Sequence, residues 1–161
     1  MDVNNTNRLQ GISVKELGHI VLYVRSLARS VDFYERILGW ERVESKSDAP
    51  IAIFSSGRTH HELLLIEVGS EAAPKPDHLQ VGLYHFGLKV GDSDEELKKA
   101  LVVLQKNNIP LSGATDHYVT HSLYIQDPDG NQIELYIDVQ GVDWRNDLTL
   151  ITKRGRRLVL E

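Results

Sequence analysis

The 161-residue chain has no cysteine, one methionine and 7% aromatic residues. The missing cysteine excludes disulfides, a thiol nucleophile and Cys-ligated zinc or iron–sulfur clusters, so any bound metal must sit on His, Asp or Glu. No segment approaches the ~18 consecutive apolar residues of a membrane span, so a membrane partner is not expected. The opening MDVNNTNRLQ lacks an apolar stretch, so it does not read as a secretory signal. Basic residues are not in excess: 18 Lys+Arg stand against 23 Asp+Glu, for a net charge of −5, which argues against a nucleic-acid partner. These absences point to a soluble, cytoplasmic protein of one-domain size, with 41% hydrophobic residues to fill its core.

What is present is a repeat. Residues 1–15 read as a flexible lead-in. Leu17–Val24 then reads as a strand. Ser26 or Ser30 caps a helix with Val31, Phe33, Tyr34, Ile37 and Leu38 on its apolar face, and Gly39 stops it. Trp40–Glu44, Pro50–Phe54 and His61–Val68 read as strands, with a turn at Ser55–Arg58. A linker over 70–81 carries Pro74 and Pro76, and the order recurs after it. Leu83–Val90 is a strand. Asp92–Asn107 is a helix capped by Asp92 or Ser93, with Leu97, Leu101, Val102 and Leu104 as its buried face. Ile109–Leu111, Ser122–Gln126 and Gln132–Val139 are strands, with a turn at Asp127–Gly130. The expectation is two modules over 16–69 and 82–141 in one domain, followed by a tail over 142–161. That tail carries the apolar ending Leu158–Leu160, which is expected to dock on the body or on a partner subunit.

The halves overlay on one another. His19 falls on His85 at an offset of 66, while Ile51, Ile53 and Glu62 fall on Leu123, Ile125 and Glu134 at an offset of 72. A unit of about 65–70 residues present twice is a duplication, since a solenoid needs at least three copies. One histidine flanked by apolar strand residues usually reads as a hydrogen-bonded core histidine; two at matched places weigh toward a ligand pair. Glu134 lies between Ile133 and Leu135, where a buried carboxylate must be neutralised, paired or metal-bound. Two imidazoles and one carboxylate make the donor set that non-haem Fe(II) favours.

The segments LGHIVLYVRSLARSVDFYERILGW, LYHFGLKV and DPDGNQIELY resemble the vicinal oxygen chelate superfamily, which includes glyoxalase I, bleomycin- and fosfomycin-resistance proteins and type I extradiol dioxygenases. The resemblance covers about residues 16–140. It implies an α+β fold in which two βαβββ modules form a U-shaped mixed sheet around a divalent metal, with His19, His85 and Glu134 as ligands. It also marks Glu62 as a fourth ligand or base in the glyoxalase and epimerase manner.

Two further features resemble the catechol 2,3-dioxygenase-like members. His60-His61 enters a strand, and the resemblance makes His61 the acid–base. His117 and Tyr124 precede Glu134 in that family's pattern, as the residues that orient substrate and dioxygen. His117 also reads as a loop histidine, and Tyr124 as a packed core aromatic. His60 and His61 are expected to alternate faces of a strand, and no role is assigned to His78 or His121.

The reading is therefore an Fe(II)-dependent (alternatively Mn, Ni, Co or Zn) extradiol enzyme that uses O₂ on a catecholic small molecule, working as a homodimer. The alternatives are a glyoxalase- or epimerase-type isomerase and an antibiotic-binding or resistance protein. Typical extradiol dioxygenases carry two module pairs per chain; this sequence carries one.

Overall fold

The computed structural model describes residues 12–44, 48–76 and 79–160. The first module is β1 (Ile20–Val24), α1 (Leu27–Val31) continuing as a π-helical segment (Asp32–Ile37), β2 (Arg42–Val43), β3 (Ile51–Phe54) and β4 (Leu63–Glu67). The second is β5 (His85–Gly91), α2 (Asp94–Lys106), β6 (Gly113–Asp116), β7 (Thr120–Gln126) and β8 (Gln132–Asp138). A 3₁₀ turn at Leu148–Thr152 leads to β9 (Arg156–Arg157).

The fold is α+β, with two mixed sheets ordered β1-β4-β3-β2 and β5-β8-β7-β6-β9. In each module the first strand lies parallel to the last, and the remaining pairings are antiparallel. The two halves thus share one topology, as the repeat implied.

Several boundaries differ from the sequence reading. β1 begins at Ile20 and β5 at His85, so His19 sits just outside its ladder and His85 opens its own. β4 begins at Leu63, which leaves His60 and His61 in the preceding loop. The strand expected at Ile109–Leu111 forms instead at Gly113–Asp116. The reason is local: Asn108 exits the helix at φ 55° and Pro110 follows it, so pairing starts only once the chain is extended. On α2 the buried stripe runs Leu97 and Leu104 with Leu101 partly buried, while Val102 is exposed. The 3.6-residue period carries position 102 off that stripe. Ser93 is the cap, its Oγ accepting from the Glu96 N–H, and Ser26 caps α1 in the same way.

The register decides which residues of the two modules are equivalent. Ile20 pairs with Leu63, and Phe86 pairs with Ile133. Overlaying these pairs keeps the offset of 66 on the first strand, so His19 remains the counterpart of His85. The last strand then takes an offset of 70, not 72. The caps Ser26 and Ser93 stand 67 apart, one more than 66, matching the register irregularity between Lys89 and Gly91. Glu62 is therefore the counterpart of Gln132, and Glu134 is the counterpart of Leu64. The sequence overlay missed this because the β3–β4 connection spans 55–62 whereas the β7–β8 connection spans only 127–131.

That shorter connection joins the modules. Asp127 is buried and accepts from Asp129 N, Asn131 N and Asn131 Nδ2 within its own turn, and from Tyr34 Oη at 2.9 Å in the first module. Asp129 receives the Arg25 N–H and pairs with Arg29 at 2.8 Å. The π segment follows from this placement. The Leu38 N–H reaches Phe33 O, five residues back, while Phe33 and Tyr34 stay turned into the core. Burial and the Asp127 charge both push the Tyr34 phenol well above its ordinary pKa, so it acts as a donor at neutral pH. A Tyr34→Phe variant should lose about 1.5–3 kcal/mol of stability, the range for a hydrogen bond to a charged acceptor, read from urea unfolding with the m-value unchanged.

Candidate active site

Glu134 stands at the centre of a connected polar group on the second sheet. The β7–β8 register sets Tyr124 directly opposite Glu134, and alternation places Ser122 on the same face two residues earlier. Ser122 Oγ donates to Glu134 Oε1 at 2.6 Å and Tyr124 Oη donates to the same oxygen at 3.0 Å. His117 Nε2 lies 2.8 Å from Tyr124 Oη. Because the phenol gives its proton to the carboxylate, His117 must donate from Nε2. On the other side, His85 Nε2 lies 3.3 Å from Glu134 Oε2. The His85 ring is flanked by Tyr84 and Tyr124, with centroids at 4.8 and 5.6 Å, and its buried Nδ1 has no hydrogen-bond partner among the described residues.

Burial and the Glu134 charge raise the Tyr124 pKa well above 10.0. The phenol is therefore a fixed donor across the neutral range, not a base.

Gly87 makes room for the Tyr136 ring beside this group. It is the register partner of Glu134, and a Cβ there would lie 3.2 Å from the Tyr136 ring and 3.7 Å from Glu134 Oε2. Sequence reasoning did not single out Ser122 or Gly87. Counting two residues back from Tyr124 along an alternating strand would have found Ser122.

The first module holds a separate imidazole cluster. The His61 ring packs on His19 at 4.5 Å and on His60 at 4.4 Å, and the Nδ1 atoms of His60 and His61 are in contact. The expected alternation of His60 and His61 does not apply, because both lie in the loop before β4. Desolvation, then the neighbouring His60 and His19, lower the His61 pKa, which keeps the ring neutral.

Glu62 is committed elsewhere. Its carboxylate accepts from Ser56 N at 2.8 Å and Ser56 Oγ at 3.1 Å, and meets Arg58 Nε at 3.4 Å. Burial works to raise its pKa, but the Ser56 donors and Arg58 outweigh that and hold it below the ordinary range. Arg58 also donates to Gly18 O at 2.9 Å, tying this loop to the residue before His19.

A cavity of about 960 Å³ lies between the modules. Gly18, His19 and Glu62 line it from one side and Gly87, Lys89 and Tyr136 from the other, while His85, Glu134, Tyr124 and His117 lie outside its lining. Its size suits a small-molecule ligand.

His85 and Glu134 present adjacent nitrogen and oxygen donors, and the partnerless buried His85 Nδ1 fits an imidazole waiting for a second contact. Yet among the described residues no three of His, Asp or Glu close around one point, so His19 is not brought to the other two within one chain. One chain thus offers two-thirds of the expected ligand set. His121 has a structural task, since its Nδ1 meets Asp94 at 2.6 Å and pins α2 to β7. His78 lies outside the described residues.

Residues 16–135 match the family described as Glyoxalase/Bleomycin resistance protein/Dioxygenase superfamily. The chain is 37% identical over 131 residues to the catechol-2,3-dioxygenase of Bacillus subtilis (strain 168), covering 81% of this chain but 44% of that enzyme. Among solved structures it resembles a glyoxalase/dioxygenase from Nostoc punctiforme, with a TM-score of 0.69, 21% identity and coverage of 82% and 99% of the two chains. It also resembles the lactoylglutathione lyase from Agrobacterium tumefaciens, with a TM-score of 0.58, 27% identity and coverage of 78% and 95%.

The bond between Tyr124 and Glu134 predicts a specific alkaline behaviour. A donor whose folded pKa is raised contributes fully below pH 10 and is lost only as pH rises through the higher folded value. The phenolate absorbance missing from Tyr124→Phe, relative to the parent, should therefore develop only at pH above 10.

Proposed function

Because the chain belongs to the glyoxalase/bleomycin resistance/dioxygenase superfamily, whose members bind divalent metals, we propose that it is an extradiol-type dioxygenase that opens a catecholic ring with O₂. The observation that carries this reading is the asymmetry of the duplicated modules. Glu134 has Leu64 as its counterpart, and Glu62 is bound to Ser56 and Arg58. The donors at the repeated positions are thus two histidines and one carboxylate, the set suited to Fe(II) with open positions. The likeness to the Bacillus catechol-2,3-dioxygenase supports it.

His19, His85 and Glu134 would hold the metal, Fe(II) by preference over Mn, Ni, Co or Zn. Once bound, it would supply charge stabilisation for a deprotonated catechol and a meeting place for O₂. Among the described residues one chain does not assemble all three ligands.

The chain's own groups carry defined tasks. An oxyanion arriving beside Glu134 would draw the single Tyr124 proton away from Glu134 Oε1, while His117 Nε2 donates to the phenol oxygen from behind. Neutral His61, with Nδ1 engaged by His60, takes a hydroxyl proton at Nε2 and returns it later.

Completion of the ligand set falls to a homodimer in this reading. Among the described residues β1 and β5 are the outer strands of their sheets, each with one unpaired edge. Exposed Val21 and Tyr23 lie along the first and exposed Leu17 precedes it, while exposed Leu83 and Tyr84 precede the second. Setting β1 of one chain beside β5 of another would bring each His19 to a His85–Glu134 pair.

A second reading, an isomerase of the lactoylglutathione lyase kind, rests on the likeness to the Agrobacterium enzyme. It requires Glu62 to leave Ser56 and Arg58 and act as ligand or base.

Anaerobic Fe(II) loading followed by catechols in air should give a yellow ring-fission product. Colourless mixtures across a catechol panel, together with Ni- or Co-dependent isomerisation of a hemithioacetal, would establish the second reading instead. Ser122→Ala should weaken metal affinity about 10–100-fold, as loss of a partner behind a ligand does, while Glu62→Gln leaves it unchanged. Mixed His19→Ala and Glu134→Gln chains should regain part of the lost activity if the site is shared. Two inactive variants that stay inactive on mixing would place it within one chain.

A further inference from the structure

The apolar ending Leu158–Leu160 is expected to dock on the body or on a partner subunit. Leu158 does so, buried at the end of β9 with its N–H on Ala114 O. The stretch just before it does something more particular, because it grips the hairpin that carries His117. β9 pairs antiparallel with β6, setting Arg156 opposite Asp116 and Arg157 opposite Thr115. Arg156 Nε donates to Asp116 Oδ2 at 2.8 Å. The other Asp116 oxygen receives the Tyr118 N–H at 2.7 Å. Tyr118 holds the left-handed conformation at φ 68°, which a non-glycine residue keeps only when its surroundings enforce it. Two cations of the tail lie over its ring, Lys153 Nζ at 5.3 Å and Arg156 Cζ at 5.0 Å from the centroid. The turn closes with the His117 N–H on Thr120 O. His117 is thus held from both sides in sequence.

The ring itself meets Gly155. A Cβ at Gly155 would lie 2.5 Å from Thr115 Cγ2, 2.9 Å from His117 Nδ1 and 3.2 Å from His117 Cε1. Only a bare backbone fits there. The tail therefore abuts the Nδ1 edge of the imidazole while the opposite Nε2 reaches Tyr124 Oη at 2.8 Å.

We propose that residues 153–156 form a wall of the active site, and that Gly155 is a positioning residue that presses His117 onto Tyr124. The geometry needs no metal and no particular substrate. Its catalytic consequence rests on the reading of His117 and Tyr124 as substrate-orienting groups.

The test separates the two. In Gly155→Ala the added methyl must displace either the imidazole or the tail. Heteronuclear NMR of the histidine side chains should show His117 as the Nε2–H tautomer in the parent. It should show a changed shift or a mixed tautomer in Gly155→Ala. Arg156→Gln leaves the backbone untouched and keeps the question open if the first variant fails to fold; it should move the same His117 signals in the same direction. Arg157→Ala, at the exposed neighbouring position, should leave them in place. In turnover, Gly155→Ala should lower kcat by up to about 10²-fold, the scale of a misplacement near 1 Å, with a smaller change in KM. His117 signals identical to the parent in both Gly155→Ala and Arg156→Gln would overturn the proposal. Shifted signals in a protein that cleaves no catechol would leave the wall standing and refute the dioxygenase reading.

Discussion

The buried carboxylate of Asp127, with Asp129 two residues on, ties the two halves of this protein to one another. Its oxygens are filled by three donors of its own turn and by the phenol of Tyr34 from the other module. A buried charge is tolerated only when so completely bonded, and breaking such a set leaves it uncompensated. The consequence reaches the site. The same tight turn sets the β7–β8 register, and that register alone puts Tyr124 across from Glu134.

Duplication supplied the frame and divergence supplied the chemistry. The paired positions Gly87 and Glu134 in the second module correspond to Val21 and Leu64 in the first. The first module offers an apolar pair where the second offers a carboxylate opposite a glycine. Glu62 then becomes a loop anchor, holding Ser56 and Arg58 beside His19. The two modules contribute unequally by construction, which suits a centre that needs one carboxylate rather than two.

Much of this was legible in the residues. The matched histidines survive the structural overlay because they sit at equivalent places at the start of equivalent strands. Glu134 was legible as a carboxylate between two apolar strand residues, a position that demands a partner. The helix caps were legible because Ser before an acidic or apolar turn has a local meaning. Glu62 was misplaced because a constant offset cannot follow a change in loop length. His60 and His61 were given strand alternation that the loop does not impose. Gly155 carried no signal at all, since a glycine in a tail has many local explanations and its neighbour here is 38 residues away in sequence.

By itself the sequence determined the elements, their duplication, the exclusion of thiol chemistry and the identity of the nitrogen and oxygen donors. These follow from periodicity, capping and residue chemistry, which are local. Only the tertiary structure decided which donors meet. It joined Glu134 to Ser122, Tyr124, His117 and His85, kept His19 with His61 in the other module, turned Glu62 to its own loop and laid the tail against His117. Those outcomes depend on strand register and on loop lengths summed over both modules, and a shift of two residues is enough to exchange one carboxylate for another.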